Sequence, residues 1–281
     1  EIRRLIKPPR NVPAPSPGRA VNRRLGPHKG EAGVAVNVQP GLGELEVASN
    51  DGQNVVVAAN SGFSFSSNFG ATYTFGGNTP CNQTICDGDP SLAVGNSGNF
   101  YYAWIGGPAS TQLGDGISRS TNNGQTFTFR GMAATCPGAT SCTLADQEHI
   151  AADRVNAGAS GDRLYNVWRD FALSFSIRIS CSADSGATWT AGTAIGAGDL
   201  PRVSVGGDGF VYVAWASGGN MMLHKFSNCD AGLAPQAGWP VTVSAFTNVA
   251  CPVPGLDRCN GRNILSSPKV AVDDLDPQHI Y

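Results

Sequence analysis

The chain has 281 residues, of which 36 are Gly and 14% are charged. It is long enough to bury a sizeable core, and no apolar run approaches the length of a membrane span. The net charge is −2, and arginines do not cluster with aromatics outside the first 30 residues, so nucleic-acid binding has little support beyond that segment.

Residues 1–30 differ from the rest. They hold six Pro and eight basic residues against one acid, Glu1, so the remaining residues carry eleven basic and twenty acidic groups. A basic arm therefore precedes an acidic body, and its Pro content favours extended or polyproline conformation over helix. The expected organisation is an arm over 1–30, free to dock on an acidic partner, followed by one domain over 31–281.

That domain reads as all-β, with short alternating strands punctuated by Gly, Asn, Asp and Ser. A unit recurs along it. Gly33-Val34-Ala35-Val36 is followed by Asn54–Ala59. Asp89-Pro90-Ser91-Leu92-Ala93-Val94 leads through a Gly turn into Tyr101-Tyr102-Ala103-Trp104. Glu148–Asp153 leads in the same way into Tyr165–Trp168, and Leu200–Val205 into Tyr212–Trp215. Pro268–Asp273 starts a fifth copy. Starts at 33, 91, 149, 202 and 269 give an interval that suits a four-stranded propeller blade. The expectation is about four blades and the start of a fifth, a fragment of a ring of six or more.

A second phrase is repeated three times: Ser66-x-Asn68-x-Gly70-x-Thr72, Ser120-x-Asn122-x-Gly124-x-Thr126, and Ser182-x-Asp184-x-Gly186-x-Thr188-Trp189. The Asn or Asp side chain folds onto nearby backbone N–H groups, the Gly takes a positive φ, and the Thr begins a strand. The phrase resembles the Asp-box of the sialidase-like (BNR-repeat) β-propellers. The resemblance implies that the boxes join the third and fourth strands of a blade and are structural. It also implies that the working face is the opposite one, where blade connects to blade. A true sialidase carries an arginine on its first inner strand, whereas Gly33–Val36 has none.

Eight Cys without a zinc-type spacing suggest four disulfides and an oxidising, extracellular or periplasmic compartment. Sequence alone does not choose among the pairings. Three local pairs (Cys81–Cys86, Cys136–Cys142 and Cys251–Cys259) would brace blade connections, leaving Cys181 and Cys229 to join adjacent blades.

Candidate site residues flank the inner strands. Asp146 and Glu148, at i and i+2, would point to one side and serve as a catalytic acid pair. Asp89, His149, Arg169, Asp170 and Arg202 are candidate ligand contacts, and Asp87 with Asp89 is a candidate calcium pair, although capping a turn is the commoner task for such Asp residues. Trp104, Trp168 and Trp215 could stack on sugars, but their recurrence favours blade packing. The expectation is a secreted, noncatalytic recognition or structural module for a glycan or an extracellular protein. The alternatives are a glycoside hydrolase using the paired carboxylates and an assembly subunit docked through its basic arm. These separate on the ring centre: an enzyme needs convergent acids there, and a glycan binder needs exposed aromatics.

Overall fold

The computed structural model describes residues 38, 44–136, 144–171, 174–247 and 267–281. They form four antiparallel four-stranded sheets, each built from consecutive strands in simple meander order. The first comprises β1 (Glu46–Ser49), β2 (Val55–Ala59), β3 (Gly62–Ser66) and β4 (Thr74–Gly77). The second comprises β5 (Ile85–Val94), β6 (Phe100–Gly107), β7 (Gly114–Ser120) and β8 (Thr128–Ala134). The third runs through β9 (Ala145–Ala152), β10 (Leu164–Asp170), β11 (Ser176–Ser182) and β12 (Thr193–Ala197). The fourth contains β13 (Asp199–Val205), β14 (Val211–Ser217), β15 (Asn220–Phe226) and β16 (Val241–Ala245). These are the blades of a β-propeller. Beyond them, Ala271 and Tyr281 exchange backbone hydrogen bonds, and Val270, Val272 and Ile280 pack on the fourth blade.

The blades stack face to face, and the second strand of each explains why. Strands β6 and β10 are buried along their whole length, because each side of the sheet meets another blade. Alternation then sorts side chains between neighbours. Phe100, Tyr102 and Trp104 pack with Val56, Ala58 and Phe63 of the first blade, whereas Tyr101 and Ala103 pack with Ile150 and Leu164 of the third. Val203, Val213 and Trp215 continue the pattern against Tyr165, Val167 and Ile177. Trp104, Trp168 and Trp215 are thus wedges between blades. Gly116 makes room for one of them: a Cβ there would lie 2.1 Å from the Trp104 ring.

The three Asp-boxes close the β3–β4, β7–β8 and β11–β12 turns with one geometry. Asn68, Asn122 and Asp184 accept from the amides of Thr72, Thr126 and Thr188 at 2.9–3.1 Å. The Ser66, Ser120 and Ser182 hydroxyls accept from Gly70, Gly124 and Gly186 at 2.9–3.0 Å. Each glycine sits at φ +79° to +83°, the left-handed region that favours glycine. The fourth blade has a different turn there, a 3-10 segment Cys229–Ala231 capped by Asn228. It is tied to the third blade by the Cys181–Cys229 disulfide and by Arg163, which reaches both Asp153 and Asp230. A cross-link of 48 residues is worth about 4 kcal/mol in the chain-entropy account.

Cys81–Cys86 is also formed, so two disulfides lie among the described residues, which fits an oxidising compartment. The pairs Cys136–Cys142 and Cys251–Cys259 reach outside the described residues, as does the arm over 1–30. One reading of the repeat needs correction. The inner strand pairing with β2 is β1, Glu46–Ser49, and the proposed Gly33–Val36 strand lies outside the described residues. β1 has the polar face and short length that a search for apolar inner strands passes over.

The boxes predict their own tolerance. Asp184→Asn should change stability by less than about 1 kcal/mol, because Asn68 and Asn122 fill the same place by donating Nδ2 to Thr Oγ1. Asp184→Ala, which removes both bonds to Thr188, should cost about 1–3 kcal/mol in urea unfolding. Equal costs for the two variants would show that the turn does not depend on the side-chain oxygen.

Candidate functional site

The inner strands β1, β5, β9 and β13 bring the same register position to the ring axis. Glu46, Ser91, His149 and Arg202 pair with Ala58, Ala103, Val167 and Ala214, the fourth residues of their respective second strands. All four line one cavity of about 230 Å3 at the mouth of the propeller. Two residues earlier along the chain in each blade stand Glu44, Asp89, Gln147 and Leu200, which line it too. The Asp-boxes follow strands running away from this mouth, so they close the opposite face.

A bulge sets this arrangement. In the second, third and fourth blades the inner strand has one residue more than its partner between Gly88 and Ser91, Asp146 and His149, and Asp199 and Arg202. The extra turn places Asp89, Gln147 and Leu200 at φ 46°, 57° and 56°, a left-handed conformation that costs a non-Gly residue of order 1–3 kcal/mol. Side chains hold it. Asp146 and Asp199 accept from the amides of Gln147 and Leu200 at 2.7 and 3.0 Å. The second blade has Gly88 at that position, and Asn60 of the preceding blade accepts from the Asp89 amide instead, at 3.0 Å.

The next level ties blade to blade. The Ile150 amide donates to Ser91 Oγ at 3.1 Å, and the Val203 amide donates to His149 Nδ1 at 3.3 Å. His149 therefore has a structural bond as well as a place in the cavity wall.

Carboxyl groups dominate the chemistry. Asp89 hydrogen-bonds to Glu44 and Asp146, and its pKa is pushed up to about 9, first by burial and then by those two neighbours. Burial also raises Asp146, against the lowering effect of its bond to Asp89 and of Arg169. Glu148 is 5% exposed, and neither carboxyl oxygen has a hydrogen-bond partner on another described residue. It is held well above the usual carboxylate range by burial and by the nearby Asp115 and Asp89. Asp115, buried and bonded to Asn166 at 2.7 Å, is raised for the same first reason.

The structure thus brings together Asp89, Asp146, Glu148, His149 and Arg202 of the residues singled out from sequence. Asp146 and Glu148 both line the cavity, but through the bulge rather than through simple strand alternation. Arg169 and Asp170 lie off it. Arg169 pairs with Asp199 at 2.7 Å and sits over the Phe171 and Phe175 rings, and Asp170 pairs with Arg178 at 3.2 Å. Asp87 is exposed, at a register shift of β5, whereas Asp89 lines the cavity. No group of three or more His, Cys, Asp or Glu among the described residues is arranged to hold a metal ion. Sequence reasoning missed Glu44 and Glu46. Their signal was the phrase Glu44-Leu45-Glu46 before Val47-Ala48, the same acid-x-polar start that Asp89-Pro90-Ser91 has before Leu92-Ala93.

No protein-family model matches the sequence, and no curated protein matches it. Solved structures do. One is a protein of unknown function from Dyadobacter fermentans, 10% identical over 83% of this chain and 69% of that one, with a TM-score of 0.56. Another is the Penicillium chrysogenum α-L-arabinanase complexed with arabinobiose, 9% identical over 82% and 70%, with a TM-score of 0.50. A Hadza microbial sialidase is 12% identical over 83% of this chain but only 48% of its own length, with a TM-score of 0.49. At these identities the likeness is one of fold.

The shifted carboxyl predicts a pH dependence. Asp89 holds its proton to about pH 9 when folded, against an ordinary value of 3.8, so the folded state binds a proton that the unfolded chain has released. Its contribution to stability is present below about pH 4 and is lost as pH rises towards 9. Asp89→Asn removes this loss, and its melting temperature relative to the wild type should climb between pH 5 and 9. A difference independent of pH would show that Asp89 titrates normally.

Proposed function

We propose that the propeller is a secreted, sialidase-like glycoside hydrolase acting on an oligosaccharide end held at the axial cavity. The observation that carries this reading is the convergence of Glu44, Glu46, Asp89, Asp146 and Glu148 on the ring axis. Among the described residues no Phe, Tyr or Trp lines that cavity, and the three second-strand tryptophans are sealed between blades. A noncatalytic glycan binder would need the reverse. The Penicillium arabinanase, which shares the fold and is complexed with arabinobiose, supports a sugar as the class of ligand.

The roles follow from the proton positions. Glycoside cleavage needs one carboxyl that holds its proton and one that is ionised. Asp89 is the proton donor to the leaving oxygen. Asp146, in hydrogen-bond contact with it, is closer than the ~5 Å or more that separates an acid from its nucleophile or base, so the two share one proton and one role. Glu46 lines the cavity from the first blade and serves as nucleophile or base.

A panel of chromogenic glycosides and neutral oligosaccharides, including arabinan fragments, tests this reading. The wild type should turn over at least one, and Asp89→Asn and Glu46→Gln should each lower turnover by about 10²–10⁴ while remaining folded. Asp184→Asn, on the opposite face, should leave it unchanged. Failure of the wild type on every substrate, or full activity in Asp89→Asn, would overturn the assignment.

A further inference from the structure

The connection between the first and second blades carries a motif that the axial cavity does not use. Asn82-Gln83-Thr84 is an Asn-x-Thr triplet, and no other Asn-x-Ser or Asn-x-Thr triplet occurs in the 281 residues. Its central residue is not Pro. Such a triplet sets a side-chain amide two residues before a hydroxyl, the pattern accepted for attachment of an N-linked oligosaccharide. By itself it says little, because a buried or engaged Asn is out of reach.

The fold supplies what the triplet lacks. Asn82 and Thr84 are both exposed, in an irregular segment just before β5. Asn82 Nδ2, the atom that would be modified, donates to no described residue, and its Oδ1 accepts only from the neighbouring Gln83 Nε2, at 3.0 Å. Thr84 Oγ1 has no hydrogen-bond partner among the described residues either. Other exposed asparagines have a structural task. Asn68, Asn96 and Asn122 donate Nδ2 to Thr72 Oγ1, to the Arg154 carbonyl and to Thr126 Oγ1. Turn capping therefore does not account for Asn82. The Cys81–Cys86 disulfide, with Cα atoms 6.0 Å apart, closes the segment on itself at the start of β5. Ile85 pairs with Gly107, the last residue of β6, so this loop stands on the mouth side of Asp89.

We propose that Asn82 is a glycosylation site, carrying a single N-linked oligosaccharide on the rim of the propeller mouth. The donor class is a lipid-linked oligosaccharide diphosphate. Asn82 Nδ2 loses a proton and bonds to the anomeric carbon of the first sugar. The bond from that carbon to the diphosphate oxygen breaks, and the lipid diphosphate leaves with the electron pair. The Thr84 hydroxyl is read together with the amide by the transferring enzyme. Two disulfides among the described residues fit the oxidising secretory compartment in which such donors act. The inference holds whether or not the axial cavity cleaves sugars.

Expression of the full chain as a secreted protein in eukaryotic cells tests the proposal. The wild type should emerge with a single glycan, seen as a heterogeneous gain in mass that peptide-N-glycosidase removes. That enzyme should leave an aspartate in place of Asn82 in the peptide that contains Cys81 and Cys86. Thr84→Ala should abolish the gain in mass and Thr84→Ser should retain it, a pattern that follows the hydroxyl. Neither change breaks a hydrogen bond to a described residue, so both variants should be secreted at the wild-type level. Asn82→Gln should show the same loss should Thr84→Ala fail to fold. Secreted wild type with Asn82 unmodified, or a glycan that persists in Thr84→Ala or Asn82→Gln, would overturn the assignment.

Discussion

Each of three inner strands carries one residue too many, and the site depends on that excess. Regular alternation would send the residues at Gly88, Asp146 and Asp199 and those two positions later to the same side, and would keep the residues between them out of the cavity. The bulge breaks this rule. It turns Asp89, Gln147 and Leu200 into a left-handed conformation at the mouth of the ring and brings Asp146 and Glu148 to one wall without stacking them along a strand. The strain is sustained because the carboxylates of Asp146 and Asp199, or Asn60 from the neighbouring blade, hold the turned amides. Asp146 is therefore both a scaffold and a member of the acid group. Its replacement would disturb backbone as well as charge, which is why Asp89 and Glu46 are the cleaner probes of chemistry.

The acid group survives because the rest of the molecule is rigid around it. Face-to-face blades bury aromatic wedges on both sides of each second strand, and the inner strands are joined at one level by Ile150 to Ser91 and Val203 to His149. Five acids in a flexible cleft would move apart into water. On fixed strands in a desolvated cavity three of them, Asp89, Asp146 and Glu148, are displaced upward with burial as the first cause. Packing thus becomes protonation.

Much of the fold was legible in the sequence because it is repetitive. Ser-x-Asx-x-Gly-x-Thr needs the same residue types wherever the turn occurs, and Asn replaces Asp twice since a single side-chain oxygen, accepting from the Thr amide, is the shared requirement. Second strands ending in Trp were legible for the same reason. The first inner strand was not: Glu46–Ser49 is short and only partly buried, and the more apolar run Gly33–Val36 was read as the partner of β2 instead. The candidate site was half legible. Asp89, Asp146, Glu148, His149 and Arg202 were identifiable by their place before an inner strand, while Glu44 and Glu46 went with the misplaced strand. Arg169 and Asp170, also adjacent to such an element, turned out to be engaged in ion pairs with Asp199 and Arg178. No local pattern distinguishes an arginine that reaches a cavity from one that reaches the next blade.

This difference follows from what repetition means in a propeller. A residue that every blade needs is one that makes a blade, and the boxes and tryptophans belong to that class. Function requires departure from the repeat, since a ring of identical side chains offers a ligand no orientation. The register position occupied by Glu46, Ser91, His149 and Arg202 is where departure is greatest: acid, hydroxyl, imidazole and guanidinium stand on equivalent atoms of equivalent strands. The level above it, with Glu44, Asp89, Gln147 and Leu200, is nearly as varied. The four paired positions share a backbone register and differ in chemistry. An asymmetric ligand held in this cavity would meet acids from the first, second and third blades and a cation from the fourth, and the sequence positions that the repeat leaves free would set its orientation.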